Sequence, residues 1–175
     1  MEAMRGFLTE ENLKLHKDYL CDLRLKYSIL IKSNPDIADK TPAEIQGMRL
    51  DRNFKSEALR LLVEIMSHDT YFASFAPCDT HSKEIKKFYS SEADFRYKIL
   101  ELAMSSAHGF VYIILDKRGK SYPILSDMLH SAYITDIPVL AIDICEHAYF
   151  ADYGFNRYEY LKRAISYLDI SKIYT

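Results

Sequence analysis

One ten-residue stretch, AIDICEHAYF at positions 141–150, decides the fold of this chain. An apolar, strand-like run at 137–142 leads into it, and an aromatic, helix-like run follows. Within the stretch, Asp143 and His147 are four residues apart. A carboxylate and a neutral imidazole together suit a borderline metal such as iron, manganese or zinc. Two ligands do not complete a site, so the rest of the chain must supply the others.

The composition excludes several classes of function. Apolar residues make up 49% of the 175 residues, which is enough for a hydrophobic core. Charged residues make up 27% and the net charge is −2, so we expect neither a nucleic-acid-binding surface nor a basic membrane-binding segment. No run of 18 apolar residues is present, and we therefore expect no membrane span.

The cysteines and the first residues predict a location. Cys21, Cys78 and Cys145 are odd in number and show no paired spacing, which indicates reduced thiols. Residues 1–8 lack the apolar core of a secretory signal. We therefore expect a cytoplasmic protein.

Two long amphipathic helices are predicted in the first half. Thr9 is a good N-cap for a helix that runs to about Lys32, and a second helix is expected from near Phe54 to just before Pro77. Both apolar stripes advance in steps of three and four, which keeps each stripe on one face. The stripes are Leu13, His16, Leu20, Leu23, Tyr27 and Leu30, then Ala58, Leu61, Ile65, His68, Phe72 and Phe75. A short helical turn with a capping box is predicted at 41–44.

Each stripe contains one histidine. His16 lies near the start of the first helix and His68 near the end of the second, so in an antiparallel hairpin the two imidazoles lie at the same level. A single histidine on an apolar face is usually a satisfied core or edge residue. The pair therefore admits two interpretations, core histidines or two further metal ligands.

The second half combines helical and strand-like patterns. Helical patterns cover 82–89 and 92–106, and strand-like runs cover 110–116, 121–125 and 137–144. The short turn at 117–120 predicts that the first two strands pair as an antiparallel hairpin. Helical patterns return at 146–153 and 156–168.

This order of elements predicts an α+β fold, with an N-terminal antiparallel helical hairpin and a C-terminal α/β domain that contains a three-stranded antiparallel sheet. The break at Pro77-Cys78-Asp79-Thr80 sets the expected division. We expect residues 1–77 to form the helical hairpin domain and residues 78–175 the α/β domain.

The motifs agree with one known family. Positions 143–150 read DICEHAYF and differ in two places from the family pattern Asp-x-Trp-Glu-His-Ala-Tyr-Tyr. His16 follows a Leu-x-Leu pattern, His68 corresponds loosely to the histidine of Asn-His-x-x-x-Trp, and positions 109–112 read GFVY where the family has Gly-Trp-x-Trp. On these motifs, over about residues 7–170, the chain resembles the iron/manganese superoxide dismutases.

The resemblance implies a complete metal site and a reaction. The implied ligands are His16, His68, Asp143 and His147, holding one iron or manganese ion per chain with a water or hydroxide as fifth ligand. The implied activity is the conversion of superoxide to dioxygen and hydrogen peroxide. Two alternatives stay open, another mononuclear redox enzyme acting on oxygen or peroxide and a non-catalytic metal-binding homologue.

The resemblance also implies residues around the ligands. Glu146 corresponds to the glutamate that crosses a dimer interface to bond the partner's ligand histidine, which implies a homodimer formed around Glu146 and His147. Glu64 lies one helical turn before His68, where iron enzymes place a glutamine. His130 lies near the position from which other members supply a glutamine or histidine. Either residue could hydrogen-bond the solvent molecule at the metal.

The chain departs from the family around the site. The family's gateway tyrosine corresponds to Arg24 and its gateway histidine to Leu20, and the second tyrosine of the signature is Phe150. Proton delivery is therefore expected to use Tyr27, Tyr149 or bulk water, and Arg157 is the part of the family's Asn-x-Arg-Pro element that this chain retains. Arg24 could attract an anion to the site or could be an ordinary solvated arginine. The family's tryptophans are replaced by Phe72, Phe110, Tyr112 and Cys145.

Overall fold

Two long helices form the N-terminal part of the structure, a computed structural model that describes residues 2–76, 89–116, 119–126 and 138–174. α1 spans Glu10–Ser33. Its N-cap is Thr9, whose side chain accepts a hydrogen bond from the Asn12 N–H. α2, Pro42–Gly47, starts with the predicted capping box, and α3 spans Arg52–Ala73. The bounds of α1 and the capping box confirm the sequence prediction.

α1 and α3 pack as an antiparallel hairpin. The His16 ring near the start of α1 lies 5.0 Å from the rings of Tyr71 and Phe72 near the end of α3. Farther along, the Tyr19 hydroxyl donates to the Glu64 carboxylate. The predicted apolar stripes therefore face each other, and the core between these helices includes Leu20, Leu23, Tyr27, Ala58, Leu61 and Ile65.

Three strands form the predicted antiparallel sheet. They are β1, Phe110–Leu115, β2, Ser121–Ser126, and β3, Pro138–Asp143, in the spatial order β2-β1-β3. The central strand β1 is almost entirely buried, and its register places Phe110 opposite Asp143. Asp143 is thus the last residue of β3, at the end of the sheet.

Helices pack around this sheet, with α3 against β3, and three more follow among the described residues of the C-terminal half. α4 spans Glu92–Met104, α5 spans Phe150–Tyr153 and α6 spans Arg157–Ser166. The predicted helix at 146–153 is instead a 3-10 segment, Glu146–Ala148, followed by α5. The two are separated because Tyr149 leaves the helical region at φ −144° and ψ −15°, where its ring stacks on Tyr160 at 4.9 Å. Within the described residues, further 3-10 segments are Ala3–Gly6, Pro35–Ile37 and Ile170–Tyr174.

The fold is α+β, as predicted, and most buried hydrophobic residues of the described ranges form two clusters. The smaller lies between α1, α2 and α3, and the larger surrounds the sheet. The larger cluster includes Met4, Phe7 and Leu13, so the N-terminal residues also pack against the C-terminal part. The expected domain boundary and most of the helical pattern predicted at 82–89 lie outside the described residues. No helix in the described part of the chain is long and apolar enough to cross a membrane.

Candidate metal centre

The four predicted ligands meet in one cluster. One ligand atom from each of His16, His68, Asp143 and His147 lies within 4.8 Å of all the others. Three imidazole Nε2 atoms surround Asp143 Oδ2, at 3.2 Å for His16, 3.4 Å for His68 and 2.8 Å for His147. The side chains of His16, His68 and Asp143 are fully buried, and that of His147 is 29% exposed. The cluster is therefore closed on three sides and open at His147.

Secondary structure positions each ligand. His16 on α1 and His68 on α3 face each other across the hairpin, with ring centroids 5.1 Å apart. Asp143 ends β3, and His147 lies in the 3-10 segment four residues later. The site thus lies where the helical hairpin meets the end of the sheet.

Hydrogen bonds orient the carboxylate of Asp143. Its Oδ1 accepts the Cys145 N–H at 2.8 Å, and its main-chain oxygen accepts the Tyr160 hydroxyl at 2.9 Å. These bonds fix the turn after β3 and leave Oδ2 directed at the imidazoles. The Cys145 thiol is not among the four clustered ligand groups, and its Sγ accepts the Gly109 N–H at 3.2 Å.

One ligand histidine has its tautomer fixed. His68 Nδ1 is 2.7 Å from the main-chain oxygen of Glu64, one helical turn earlier. Since a carbonyl oxygen only accepts, Nδ1 carries the proton and donates it. The lone pair is therefore on Nε2, which faces the cluster, as a metal ligand requires.

Burial and the charges of the clustered residues shift the pKa values of Asp143, His147 and His68. Burial alone would raise the pKa of Asp143, but the charges and hydrogen bonds of His147 and His16 outweigh it and hold that pKa well below its usual range. Burial would lower the pKa of His147, but the Asp143 carboxylate outweighs it and raises that pKa. Burial does lower the pKa of His68, to about 4, against the opposing charge of Asp143. Asp143 is thus an anion and His68 a neutral base at pH 7.

The residues present fit a metal ion. Ligand nitrogens and oxygens lie about 2.0–2.2 Å from an ion such as Zn²⁺, so neighbouring ligands around one ion lie roughly 3–4 Å apart. The separations of 2.8–3.4 Å around Asp143 Oδ2 agree with this spacing. His16 Nδ1 is buried without a hydrogen bond among the described residues, and His16 Nε2 faces the Asp143 carboxylate 3.2 Å away, so a cation held between these two groups would be bound by both. Three histidines and one carboxylate are a donor set that iron and manganese accept.

Lowering the pH from 6.5 to 5 is expected to destabilise the metal-free protein by about 2 kcal/mol through His68. Because burial depresses the pKa of His68 to about 4, the unfolded chain binds a proton more readily than the folded chain below about pH 6.5. The raised pKa of His147 stabilises the folded state fully below about pH 6.5, so its contribution does not change in this window. Urea unfolding of the metal-free protein at several pH values measures the loss.

The matched control for this pH effect is His68→Leu. It removes the titrating group, so the unfolding free energy should become flatter between pH 6.5 and 5. An equally steep fall in the variant would show that another group causes the pH dependence.

A tyrosine that the sequence analysis missed lies beside the cluster. The Tyr19 ring is 4.4 Å from the His147 ring and 5.4 Å from the His68 ring. Its hydroxyl donates to the buried Glu64, whose carboxylate also accepts Arg60 Nη1 at 2.9 Å. Burial and the neighbouring carboxylate raise the pKa of Tyr19, so it stays a donor. Its spacing of three residues from His16 was the available signal, because i and i+3 side chains share a helix face.

Glu64 lies one helical turn before His68, where the resemblance placed it, whereas Arg24, Tyr27 and Arg157 have partners outside the ligand cluster. The Arg24 guanidinium forms an exposed ion pair with Asp69. The Tyr27 hydroxyl donates to the main-chain oxygen of Ile37, 3.3 Å away in the smaller core. Arg157 donates to the main-chain oxygen of Met104 at 3.4 Å, and His130 is outside the described residues.

An apolar groove adjoins the exposed ligand. Glu146, His147, Phe150 and Phe155 line a cavity of about 480 Å³. Phe150 is 46% exposed and Phe155 is 93% exposed, although their rings contact each other at 5.3 Å. Glu146 is itself exposed at this groove. The open side of the cluster is therefore flanked by aromatic rings that the described residues leave uncovered.

The comparison of the chain with known families agrees with this fold. Residues 77–175, more than half of the chain, match the family described as iron/manganese superoxide dismutases, C-terminal domain. The chain therefore belongs to the iron/manganese superoxide dismutase family, which confirms the resemblance seen in the sequence motifs.

Two curated relatives are similar over the same length. A chloroplastic iron superoxide dismutase 3 from Arabidopsis thaliana is 26% identical over 114 residues, which are 60% of this chain and 43% of that protein. A chloroplastic iron superoxide dismutase 2 from Oryza sativa subsp. japonica is 25% identical over 114 residues, which are 60% of this chain and 45% of that protein. The matched region is less than half the length of either relative.

Proposed function

We propose that this protein is a superoxide dismutase that holds one iron or manganese ion per chain at His16, His68, Asp143 and His147. The observation that carries the proposal is the convergence of these four ligand atoms within 4.8 Å of one another. Membership of the family supports the reaction. The identity of the metal and the retention of activity belong to the proposal.

The ion would supply one-electron chemistry, taking an electron from one superoxide to give dioxygen and passing it to a second, which with two protons becomes hydrogen peroxide. The protein's own part is to hold the ligands and limit access. Asp143 contributes a negative charge, and the Glu64 carbonyl orients His68. The rings of Phe72 and Phe110, 5.0 Å from His16 and 5.2 Å from His68, shield the buried ligands from water.

Tyr19 and Glu64 form the polar boundary of the proposed site. Leu20 and Arg24 replace the gateway pair that the resemblance implied, and Arg24 is engaged by Asp69. The Tyr19 hydroxyl instead connects the ligand cluster to Glu64 and through it to Arg60, whose side chain is 39% exposed. We propose that this chain of hydrogen bonds holds the phenol in place beside His147.

The proposed enzyme is a homodimer that pairs at the groove beside His147. Exposed Phe150 and Phe155 offer apolar surface, and Glu146 is exposed at the same groove, as a glutamate that reaches a ligand histidine of a second copy would have to be. Aromatic residues at the centre of an interface often carry much of its binding energy. Covering this groove would also close the open side of the cluster.

Replacing Phe155 by aspartate is therefore expected to weaken the dimer by about 30-fold or more, the effect of losing a hot-spot residue worth about 2 kcal/mol. Sedimentation equilibrium over a range of protein concentrations measures the change. Tyr97→Asp is the matched control, because Tyr97 is a 64% exposed aromatic residue on α4, away from the groove. The proposed interface would be contradicted if both substitutions weakened the dimer equally, or if neither weakened it.

We also propose a cytoplasmic location. Cys21 is exposed and Cys145 is partly buried, and both are free thiols, which is the usual state in a reducing compartment.

The experiment that tests the function is direct superoxide decay by stopped flow, on protein loaded separately with iron and with manganese. Decay that is much faster than that of metal-free protein, with one of the two metals, is the expected result and identifies the cofactor. Dismutation would be contradicted if the protein binds its metal but superoxide decays no faster in its presence than with the metal-free protein. The alternatives of a different redox substrate or a non-catalytic metal site would then be favoured.

A further inference from the structure

Asn12 is a buried polar residue near the start of α1. The residue is 1% exposed, and neither its Oδ1 nor its Nδ2 has a hydrogen-bond partner among the residues that the structure describes. Asn12 is the third residue of α1, where a polar side chain often bonds back to the N–H of the N-cap residue. Here that N–H, from Thr9, donates to Asp152 Oδ2 at 2.8 Å. The common local role of such a side chain is therefore already filled.

The next turn of α1 carries a second unsatisfied group on the same face. His16 follows Asn12 by four residues, and side chains at this spacing lie one above the other. Side chains in a helix tilt towards its N-terminus, so the His16 imidazole leans over the turn that holds Asn12. Its Nε2 points across to Asp143, 3.2 Å away, and Nδ1, next to the point of attachment, stays beside α1. His16 Nδ1 is buried without a partner in the described part of the chain.

His68, the other buried histidine of the proposed site, has the Nδ1 hydrogen bond that His16 lacks among the described residues. His68 Nδ1 has its acceptor, the main-chain oxygen of the residue four positions earlier, at 2.7 Å. Histidines that bind metals almost always donate their second ring N–H to such an acceptor, which fixes the orientation and tautomer of the ring. For His16 the polar side chain available on the same face, one turn earlier, is Asn12.

We propose that Asn12 Oδ1 accepts the His16 Nδ1–H in the metal-loaded protein and orients that imidazole towards the metal. Asn12 is then a positioning residue, which acts through His16. The inference rests on the proposed function, since it takes His16 as a ligand. It explains a buried amide that would otherwise only destabilise the fold.

The test is Asn12→Leu, which keeps the size of the side chain and removes the acceptor. Mn²⁺ affinity of the metal-free protein, measured by competition with a chelator, is expected to fall 10–100-fold, the usual effect of losing the outer partner of a ligand histidine. Asn12→Asp keeps an oxygen acceptor and is expected to retain the affinity within about threefold. Asn53→Leu, an exposed asparagine in the first turn of α3, is the matched control and should leave the affinity unchanged.

A second measurement reads the hydrogen bond directly. Long-range ¹H–¹⁵N NMR spectra of the Zn²⁺-loaded and the metal-free protein report whether His16 Nδ1 carries a proton. We expect a protonated, slowly exchanging Nδ1 in the wild type and a faster-exchanging one in Asn12→Leu.

The outcomes separate this inference from the function. If the wild type binds Mn²⁺ and Asn12→Leu binds it equally well while melting at a higher temperature, Asn12 is only a buried polar residue and the inference is overturned. Asn12→Leu would also keep its Mn²⁺ affinity if a main-chain oxygen, rather than Asn12, accepts the His16 Nδ1–H, because that oxygen is still present after the substitution. If the wild type binds neither Mn²⁺ nor Zn²⁺, the proposed function fails, and the positioning role of Asn12, which requires a bound metal, fails with it.

Discussion

Replacing Asp143 by asparagine is expected to abolish tight binding of iron and manganese, and dismutation with it, while the fold is kept. Asparagine has the same shape, and its Oδ1 can still accept the Cys145 N–H, which lies 2.8 Å from the carboxylate. The anionic Oδ2, which three imidazoles surround at 2.8–3.4 Å, becomes a neutral amide group. We expect metal affinity to fall by more than about 100-fold, since loss of an outer partner alone costs 10–100-fold.

Metal content after equilibration with each metal, circular dichroism and stopped-flow superoxide decay together check this prediction. Asp69→Asn is the control, because it makes the same chemical change in an exposed ion pair with Arg24, one residue from a ligand. It should keep full metal content and activity. A folded Asp143→Asn protein with a full complement of tightly bound metal would contradict the assignment of Asp143 as a ligand.

The second large effect is expected from replacing Arg60 by methionine. The Glu64 side chain is 1% exposed, and Arg60 Nη1 donates to it at 2.9 Å. Breaking a buried ion pair from one side costs about 3–5 kcal/mol. Arg60 is 39% exposed and solvent screens the pair, so we expect about 2–3 kcal/mol. For a chain of this size the melting temperature should fall by about 4–12 °C.

Thermal unfolding of the metal-free protein measures this loss. Arg24→Met is the matched control, because Arg24 is paired with Asp69 at the surface, and it should change stability by less than about 0.5 kcal/mol. Adding Glu64→Gln to Arg60→Met removes the unpaired charge and should recover more than half of the lost stability. A double variant that is no more stable than Arg60→Met would show that packing of the arginine, rather than its charge, supports this region.

Much of the fold could be predicted from local patterns. The start of α1 at Thr9 and the capping box of α2 follow from short-range hydrogen bonds, which the sequence specifies directly. The pairing of β1 with β2 follows from the short turn between them. The break at Tyr149 could not be predicted in this way, because the ring stacks on Tyr160, which belongs to another element.

The ligands could be predicted for a different reason. Asp143 and His147 belong to one motif, and His16 and His68 each lie on an apolar stripe, so periodicity and the family resemblance together identified the set that the structure brings together. The surroundings of the ligands were less predictable. The resemblance directed attention to Arg24 as the gateway residue, whereas the side chain beside His147 is Tyr19.

The sequence by itself determined the α+β class, the start of α1, the strand order along the chain and the residue types of the four proposed ligands. These features depend on periodicity and on residue types at fixed spacing, which act within one element. Only the tertiary structure decided that Tyr19 bonds Glu64, that Arg24 pairs with Asp69 and that Asn12 is buried. The physical reason is that a polar side chain on a helix can reach several partners, and which one it meets depends on how neighbouring elements pack across it.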